Sequence, residues 1–268
     1  MGDPVTIIYQ DDFVTLYCGD SRDVLDQLEP LSIDHLITDP PYGLEEFSVA
    51  RGHAMHTMNR ANHVNAGWDK GEGWDSLMRQ TFHKAAPLLA PRANVLSFSD
   101  IRKIGQMIDL MPKEFYYKTT GVWHKTNPIP RNMNYRFVDS IEAWVHWVSE
   151  AKTGTFNNHG KPVHNFIESS VTPGSEKKHG KHPTQKPSKI MRHFIELLTS
   201  PGDTVLDPFA GSGSTLLAAA SLGRRAIGVE LNESYCEIIA NRLSQGVLDF
   251  DGDISRRAKN TQDELENR

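Results

Sequence analysis

The chain has 268 residues, 38% of them hydrophobic, and a formal net charge of −5 at pH 7. That is sufficient chain and apolar content for one large domain with a full core. No apolar run approaches the roughly 18 residues of a membrane span, and the acidic balance excludes a uniformly basic nucleic-acid binder. The amino end carries acids rather than a basic stretch followed by an apolar one, so no secretory signal is expected. The only cysteines, Cys18 and Cys236, are far apart in sequence, and the histidines form no H-x-x-x-H pair. No metal site is expected, and a reducing, cytoplasmic setting is.

Charge is unevenly spread. From Ala151 to Arg192, eight basic residues (Lys152, Lys161, Lys177, Lys178, Lys181, Lys186, Lys189 and Arg192) stand against two acids, Glu168 and Glu176. A basic middle on an acidic whole is compatible with a localised polyanion-binding face or with a solvated loop.

In chain order, Thr6 to Tyr17 reads as a hairpin turning at Asp11-Asp12, and Cys18-Gly19-Asp20 leaves its second strand. Ser21 is placed to cap a short helix reaching Leu28. The apolar run Ile33 to Thr38 reads as a buried strand that delivers Asp39-Pro40-Pro41-Tyr42. Prolines lack the N–H of a sheet ladder and push the preceding residue away from helix, so the chain must leave the sheet here in a stiff, extended form. A carboxylate and an aromatic ring thus stand at a strand's carboxyl end, the edge where open α/β sheets bind ligands.

Gly43 to Gly73 shows no period; a segment of that length in a compact domain is usually functional or mobile. Trp74 to Leu89 reads as a helix stopped by Pro91, Asn94 to Phe98 as a strand and Ile101 to Leu110 as a helix. Phe115 to His124 and Ser140 to Val148 read as an antiparallel pair at the sheet's edge, joined by a basic, proline-rich loop. Thr153 to His182 is irregular, with Asn165 to Ser170 strand-like. Pro187 opens a helix to Leu198, followed by a strand at Thr204 to Asp207, a helix from Ser214 to Leu222, a strand from Arg225 to Leu231 and a helix from Glu233 capped by Asn232. This alternation predicts a Rossmann-like, doubly wound mixed α/β sheet of roughly seven strands.

A second motif, Asp207-Pro208-Phe209-Ala210-Gly211-Ser212-Gly213-Ser214-Thr215, lies between a strand and a helix. Its small residues let backbone approach a ligand closely, or simply make a tight turn. The spacing is neither G-x-G-x-x-G nor a P-loop. The next strand ends in Glu230, placed to accept hydrogen bonds from both hydroxyls of a ribose. Asp207 suits a cationic group better than a pyrophosphate. An adenosyl group beside a positive charge describes S-adenosylmethionine.

With both motifs in hand, the sequence resembles the amino-directed (N6-adenine or N4-cytosine) DNA methyltransferases. The order of catalytic motif, irregular middle and cofactor motif is similar to the circularly permuted β group of that family, as are Cys18-Gly19-Asp20 and His182-Pro183-Thr184-Gln185-Lys186-Pro187. The resemblance implies a catalytic half at 1–150, a target-recognition insertion at 151–182, a cofactor-binding half at 183–248 and a polar tail at 249–268. It implies that Asp39 and the Pro40 carbonyl accept hydrogen bonds from the target amino group, in a rigid turn completed by Pro41, and that Tyr42 stacks on a flipped base. It assigns Asp20 to the adenine end of S-adenosylmethionine, Thr184, Gln185 and Lys186 to the methionine carboxylate, and Asp207 to the neighbourhood of the methionine end. By the same resemblance Phe209, Gly211, Gly213, Ser214, Thr215 and Asn232 would line the cofactor, with Glu230 at the ribose.

For DNA, position points to Asn157, Asn158, His159 and Lys161 in the insertion, and to Arg131, Asn132 and Arg136 in the basic loop. Members of that group often dimerise, so double-stranded DNA, a cognate restriction endonuclease and a second copy of the chain are the partners the resemblance implies. An Asp at the head of the catalytic motif leans towards adenine N6, with cytosine N4 as the alternative. A nicotinamide oxidoreductase would need the dinucleotide spacing that is absent and would leave Asp39 to Tyr42 unexplained. A catalytically silent DNA-binding module would not need both motifs intact.

Overall fold

The computed structural model describes residues 5–43, 73–128, 137–150, 153–177 and 185–245. Among these, nine strands form one mixed sheet: β1 (Thr6–Gln10), β2 (Val14–Cys18), β3 (His35–Thr38), β4 (Asn94–Ser99), β5 (Phe115–Lys125), β6 (Ile141–Ser149), β7 (Phe166–Ser169), β8 (Thr204–Asp207) and β9 (Arg225–Glu230). Their order across the sheet is β1-β2-β9-β8-β3-β4-β6-β5-β7. Strands β2, β9, β8, β3 and β4 run parallel, β6 runs against β4 and β5, and β1 and β7 extend the two edges. The pair β5–β6, expected at an edge, therefore sits inside the sheet, between β4 and β7.

The central strands are apolar on both faces, as parallel strands covered by helices must be. Successive residues alternate between two cores. Ile37, Leu96, Trp144 and Val205 pack under helices α4 (Ser188–Leu198), α5 (Ser214–Ser221) and α6 (residues 233–245). Leu36, Val95, Val145 and Leu206 pack under α1 (Ser21–Leu25), α2 (Trp74–Ala85) and α3 (Ile104–Leu110). The result is a doubly wound α/β/α sandwich. Helix α5, after β8, covers one face, and α2, the first described helix after β3, covers the other. The gap between these neighbouring strands is therefore the switch point where such sheets form a crevice.

Two local expectations are corrected. Helix α1 is capped by Asp20, whose carboxylate accepts the Arg22 N–H at 2.9 Å, so Ser21 is its first residue and not its cap. Pro187 stays extended (ψ 136°) as the N-cap of α4, with Ser188 as the first helical residue. Asn232 caps α6 as expected, its side-chain oxygen 3.3 Å from the Tyr235 nitrogen. No helix among the described residues is long and apolar enough to cross a membrane.

Candidate active site

Strand direction decides what meets at the crevice. The carboxyl ends of β3 and β8 lie side by side, with His35 opposite Val205 and Leu36 opposite Leu206. They deliver Asp39 and the Asp207–Gly213 loop to the same edge. Because β6 is antiparallel to β4, its amino end, with Glu142, comes to that edge too, as does the carboxyl end of β5 with Lys125. Lys186 arrives just ahead of α4.

A cleft of about 320 Å3, counting its open mouth, is lined by Asp39, Lys186, Met191 and the loop from Asp207 to Thr215. Of the expected cofactor residues, Lys186, Asp207, Phe209, Gly211, Ser214 and Thr215 line it directly. Gly213 shapes the loop without lining it. Its φ of 76° is a left-handed conformation, and a Cβ there would stand 2.8 Å from Ile239 Cγ2. The Ser214 hydroxyl donates to the Lys186 carbonyl at 2.9 Å, tying loop to lysine. Asp207 is buried and accepts the Thr38 hydroxyl at 2.7 Å and the Phe209 N–H at 3.1 Å; burial pushes its carboxyl up to about 6. Glu230 accepts the Gly211 N–H at 2.8 Å and the Asn232 N–H at 2.8 Å, and burial pushes it up to about 7. These two desolvated carboxylates fit a cofactor that brings hydroxyl donors and positive charge.

Asp20 lies at the neighbouring strand end, since Gly19 donates to the Glu230 carbonyl at 2.9 Å. Its carboxylate is paired with Arg22 at 2.6 Å. The Gln185 side chain turns to the Glu176 carbonyl at 3.0 Å, and Asp20, Gln185, Glu230 and Asn232 are not among the cleft-lining residues; Glu230 reaches the loop through its bond to the Gly211 N–H. Thr184 lies outside the described residues. Cys18 and Cys236 are both buried, and burial pushes both thiols up, a setting for packing and not for nucleophiles.

The catalytic motif forms a network that the sequence did not announce. Lys186 Nζ stands 2.5 Å from Asp39 Oδ2, 2.9 Å from Glu142 Oε2 and 3.0 Å from the Tyr42 hydroxyl. Lys125 Nζ holds the other Glu142 oxygen at 2.6 Å. Two carboxylates and two ammonium groups balance in a mostly desolvated cluster, where an unpaired charge would be costly. Burial raises the Asp39 carboxyl against the pull of Lys186. Burial also works against ionised Glu142, but Lys186 and Lys125 outweigh it and hold that carboxyl down at about 2. Lys186 is kept above its ordinary value by the two carboxylates, against the effect of burial.

The Tyr42 hydroxyl faces inward to Asp39 and Glu142, at 2.9 Å from each. Trp74, at the start of α2, donates from Nε1 to the Pro41 carbonyl at 2.6 Å. Its ring also lies against Gly43, whose φ is 60° and whose added Cβ would come 2.5 Å from Trp74 Cγ. Glu142, Trp74 and Lys125 were all missed as site residues. A lone acid in the run Ile141-Glu142-Ala143-Trp144-Val145 was the readable signal for the first.

The residues expected to contact DNA at 157–161 are placed away from the cleft. Asn157 donates its side-chain amide to the Glu196 and Thr199 carbonyls at 3.0 and 2.8 Å, satisfying the open carboxyl end of α4. The preceding Thr155 carbonyl accepts from Asn94, the first residue of β4. Asn158 holds a local turn with Gly160 and Lys161, containing His159. This stretch lies at the amino-terminal edge of the parallel strands, opposite the cleft. Arg131, Asn132 and Arg136 lie outside the described residues, as do most of the Gly43–Gly73 loop and the tail at 249–268.

Comparison with known proteins agrees with this geometry. A family model described as DNA methylase, covering N6 and N4 methyltransferases, matches residues 33–241. The type II methyltransferase M2.LlaDCHI of Lactococcus lactis subsp. cremoris is 30% identical over 255 residues, covering 89% of this chain and 92% of its own. M2.DpnII of Streptococcus pneumoniae is 30% identical over 252 residues, covering 88% and 91%. Among solved structures, the M1.HpyAVI–SAM complex aligns with a TM-score of 0.62 at 28% identity, over 85% of this chain and 99% of that one. The PvuII cytosine-N4-specific DNA methyltransferase shares the fold, with a TM-score of 0.65 at 20% identity over 87% of each chain. A match spanning most of the chain, on a fold that brings both motifs to one cleft, means that this protein belongs to the DNA methylase family of amino-directed, S-adenosylmethionine-dependent methyltransferases.

Proposed function

We propose that the chain transfers a methyl group to the N6 amino group of an adenine flipped out of double-stranded DNA. The observation that supports this most is Asp39 on the wall of the same cleft as Asp207 and the Phe209–Gly213 loop. S-adenosylmethionine supplies an electrophilic methyl group on a cationic sulfur. Glu230 receives the ribose hydroxyls and Asp207 stands by the methionine end. Asp39 and the Pro40 carbonyl accept the two N–H bonds of the target amine. This favours a pyramidal nitrogen and aims its lone pair, which is otherwise delocalised into the ring. Alignment for in-line attack is then the main contribution. The base has to leave the duplex to reach the cleft, and in this reading the Tyr42 ring stacks on it.

The lean towards adenine comes from Asp39 heading the catalytic motif. Sequence reading of DNA falls, in this reading, to residues beside the cleft edge, among them Lys125 to Pro128 and Ser169 to Lys177, where the Asn127 side chain accepts the Val171 N–H at 2.8 Å. A companion endonuclease and a second copy of the chain belong to the same reading. Mass spectrometry of nucleosides from DNA treated with the protein and S-adenosylmethionine tests it: N6-methyladenine is expected, and N4-methylcytosine alone moves the target to cytosine.

A further inference from the structure

Each oxygen of the Asp39 carboxylate already has a donor within hydrogen-bond distance. Oδ1 accepts the Tyr42 hydroxyl at 2.9 Å and Oδ2 accepts Lys186 Nζ at 2.5 Å. Each carboxylate oxygen can accept two hydrogen bonds, so an incoming amine either shares an oxygen with one of these donors or displaces it. Each has a second acceptor in the same atom: Glu142 Oε2 lies 2.9 Å from the Tyr42 hydroxyl and 2.9 Å from Lys186 Nζ. Lys125, on Glu142 Oε1 at 2.6 Å, keeps Oε2 turned towards the site. Lys186 is 5% exposed and lies against the Phe98 and Tyr42 rings, so an ammonium released by Asp39 is shielded from water. A buried donor without a partner is costly.

We infer that Glu142 is a positioning residue that takes over Lys186 and the Tyr42 hydroxyl when the target amine occupies Asp39. In the free protein the Lys186 ammonium stands in for that amine. The inference rests on the methyltransferase reading above and adds a residue and an exchange that this reading does not contain.

The test is single-turnover methyl transfer to DNA from labelled S-adenosylmethionine, with cofactor binding measured by calorimetry. It compares wild type, Glu142→Gln, Lys186→Met and the double variant. Glutamine keeps the shape but not the charge, so Lys186 stays on Asp39. The transfer rate constant is expected to fall roughly tenfold to a hundredfold, with cofactor affinity unchanged. In the Lys186→Met background the same change costs at least several-fold less, because the competitor for Asp39 is gone. A purely structural role gives equal losses in both backgrounds, and that result, or an unaltered rate in Glu142→Gln, overturns the inference. Should Glu142→Gln fold poorly, Lys125→Met is the second variant. It loosens Glu142 from outside the cleft and is expected to slow transfer with cofactor affinity intact; no change overturns the inference. A wild-type protein that transfers no methyl group to DNA fails the methyltransferase reading itself, a separate result.

Discussion

The Thr38 hydroxyl donates to the Asp207 carboxylate at 2.7 Å, joining the last residue of β3 to the last residue of β8. This one bond couples the strand that presents Asp39 to the strand that presents the cofactor loop, and it spans 169 residues of chain. Thr38→Val keeps the shape and removes the donor. A buried carboxylate that loses a partner destabilises the fold by about 1–3 kcal/mol, which thermal melting should register as a drop of several degrees. Asp207 also loses a group that holds its carboxyl down, so cofactor affinity at pH 7 should weaken as well.

Asp39→Ala separates chemistry from binding. It removes an acceptor of the target amine while Lys186 keeps Glu142 as a partner at 2.9 Å. Methyl transfer should fall by more than about a hundredfold, while calorimetry shows cofactor affinity largely intact. Activity within tenfold of wild type would contradict the role given to Asp39.

Cofactor binding should depend on pH through two carboxylates. Glu230 titrates near about 7 and Asp207 near about 6, both raised by burial. Below these values the acids take up protons and lose acceptor strength and charge. Cofactor affinity should therefore decline as pH falls from 8 to 5.5, and Glu230→Ala should weaken binding throughout and flatten the upper part of the decline. Stability has the opposite sign. A folded-state pKa above the unfolded one means that the contribution is full below the unfolded value and is lost as pH rises through the folded one. The rise in melting temperature produced by S-adenosylmethionine should accordingly grow between pH 5.5 and 8.

Trp74 should act on catalysis through the backbone of the catalytic motif. Trp74→Phe keeps most of the ring and removes the donor to the Pro41 carbonyl. The turn that aims Asp39 and the Pro40 carbonyl then loosens, and a misplaced acceptor costs alignment. A roughly tenfold lower kcat with unaltered cofactor affinity is expected. Gly43→Ala, which pushes a Cβ into Trp74, should have a larger effect in the same direction.

Local chemistry carried a good part of this molecule. Apolar runs ended by Asp39-Pro40-Pro41 and Asp207-Pro208 marked two strands and the points where the chain leaves the sheet. Glu230 after a buried strand marked a third. These signals are short-range: burial period, lost N–H groups and small residues act within a few positions. Which strands lie side by side is a property of the whole sheet, and there the sequence fell short. Glu142 reaches the site because β6 runs against its neighbours, and Lys125 because β5 reverses again. Asn157, polar and in the irregular insertion, reads as a DNA contact in the sequence; the fold uses it to close the carboxyl end of α4 at the far edge. Lys186 was placed near the cofactor by its motif, yet its partner Asp39 lies 147 residues away. Whether a lysine is solvated or pinned between two acids depends on the desolvation and charge that only the assembled sheet brings to it.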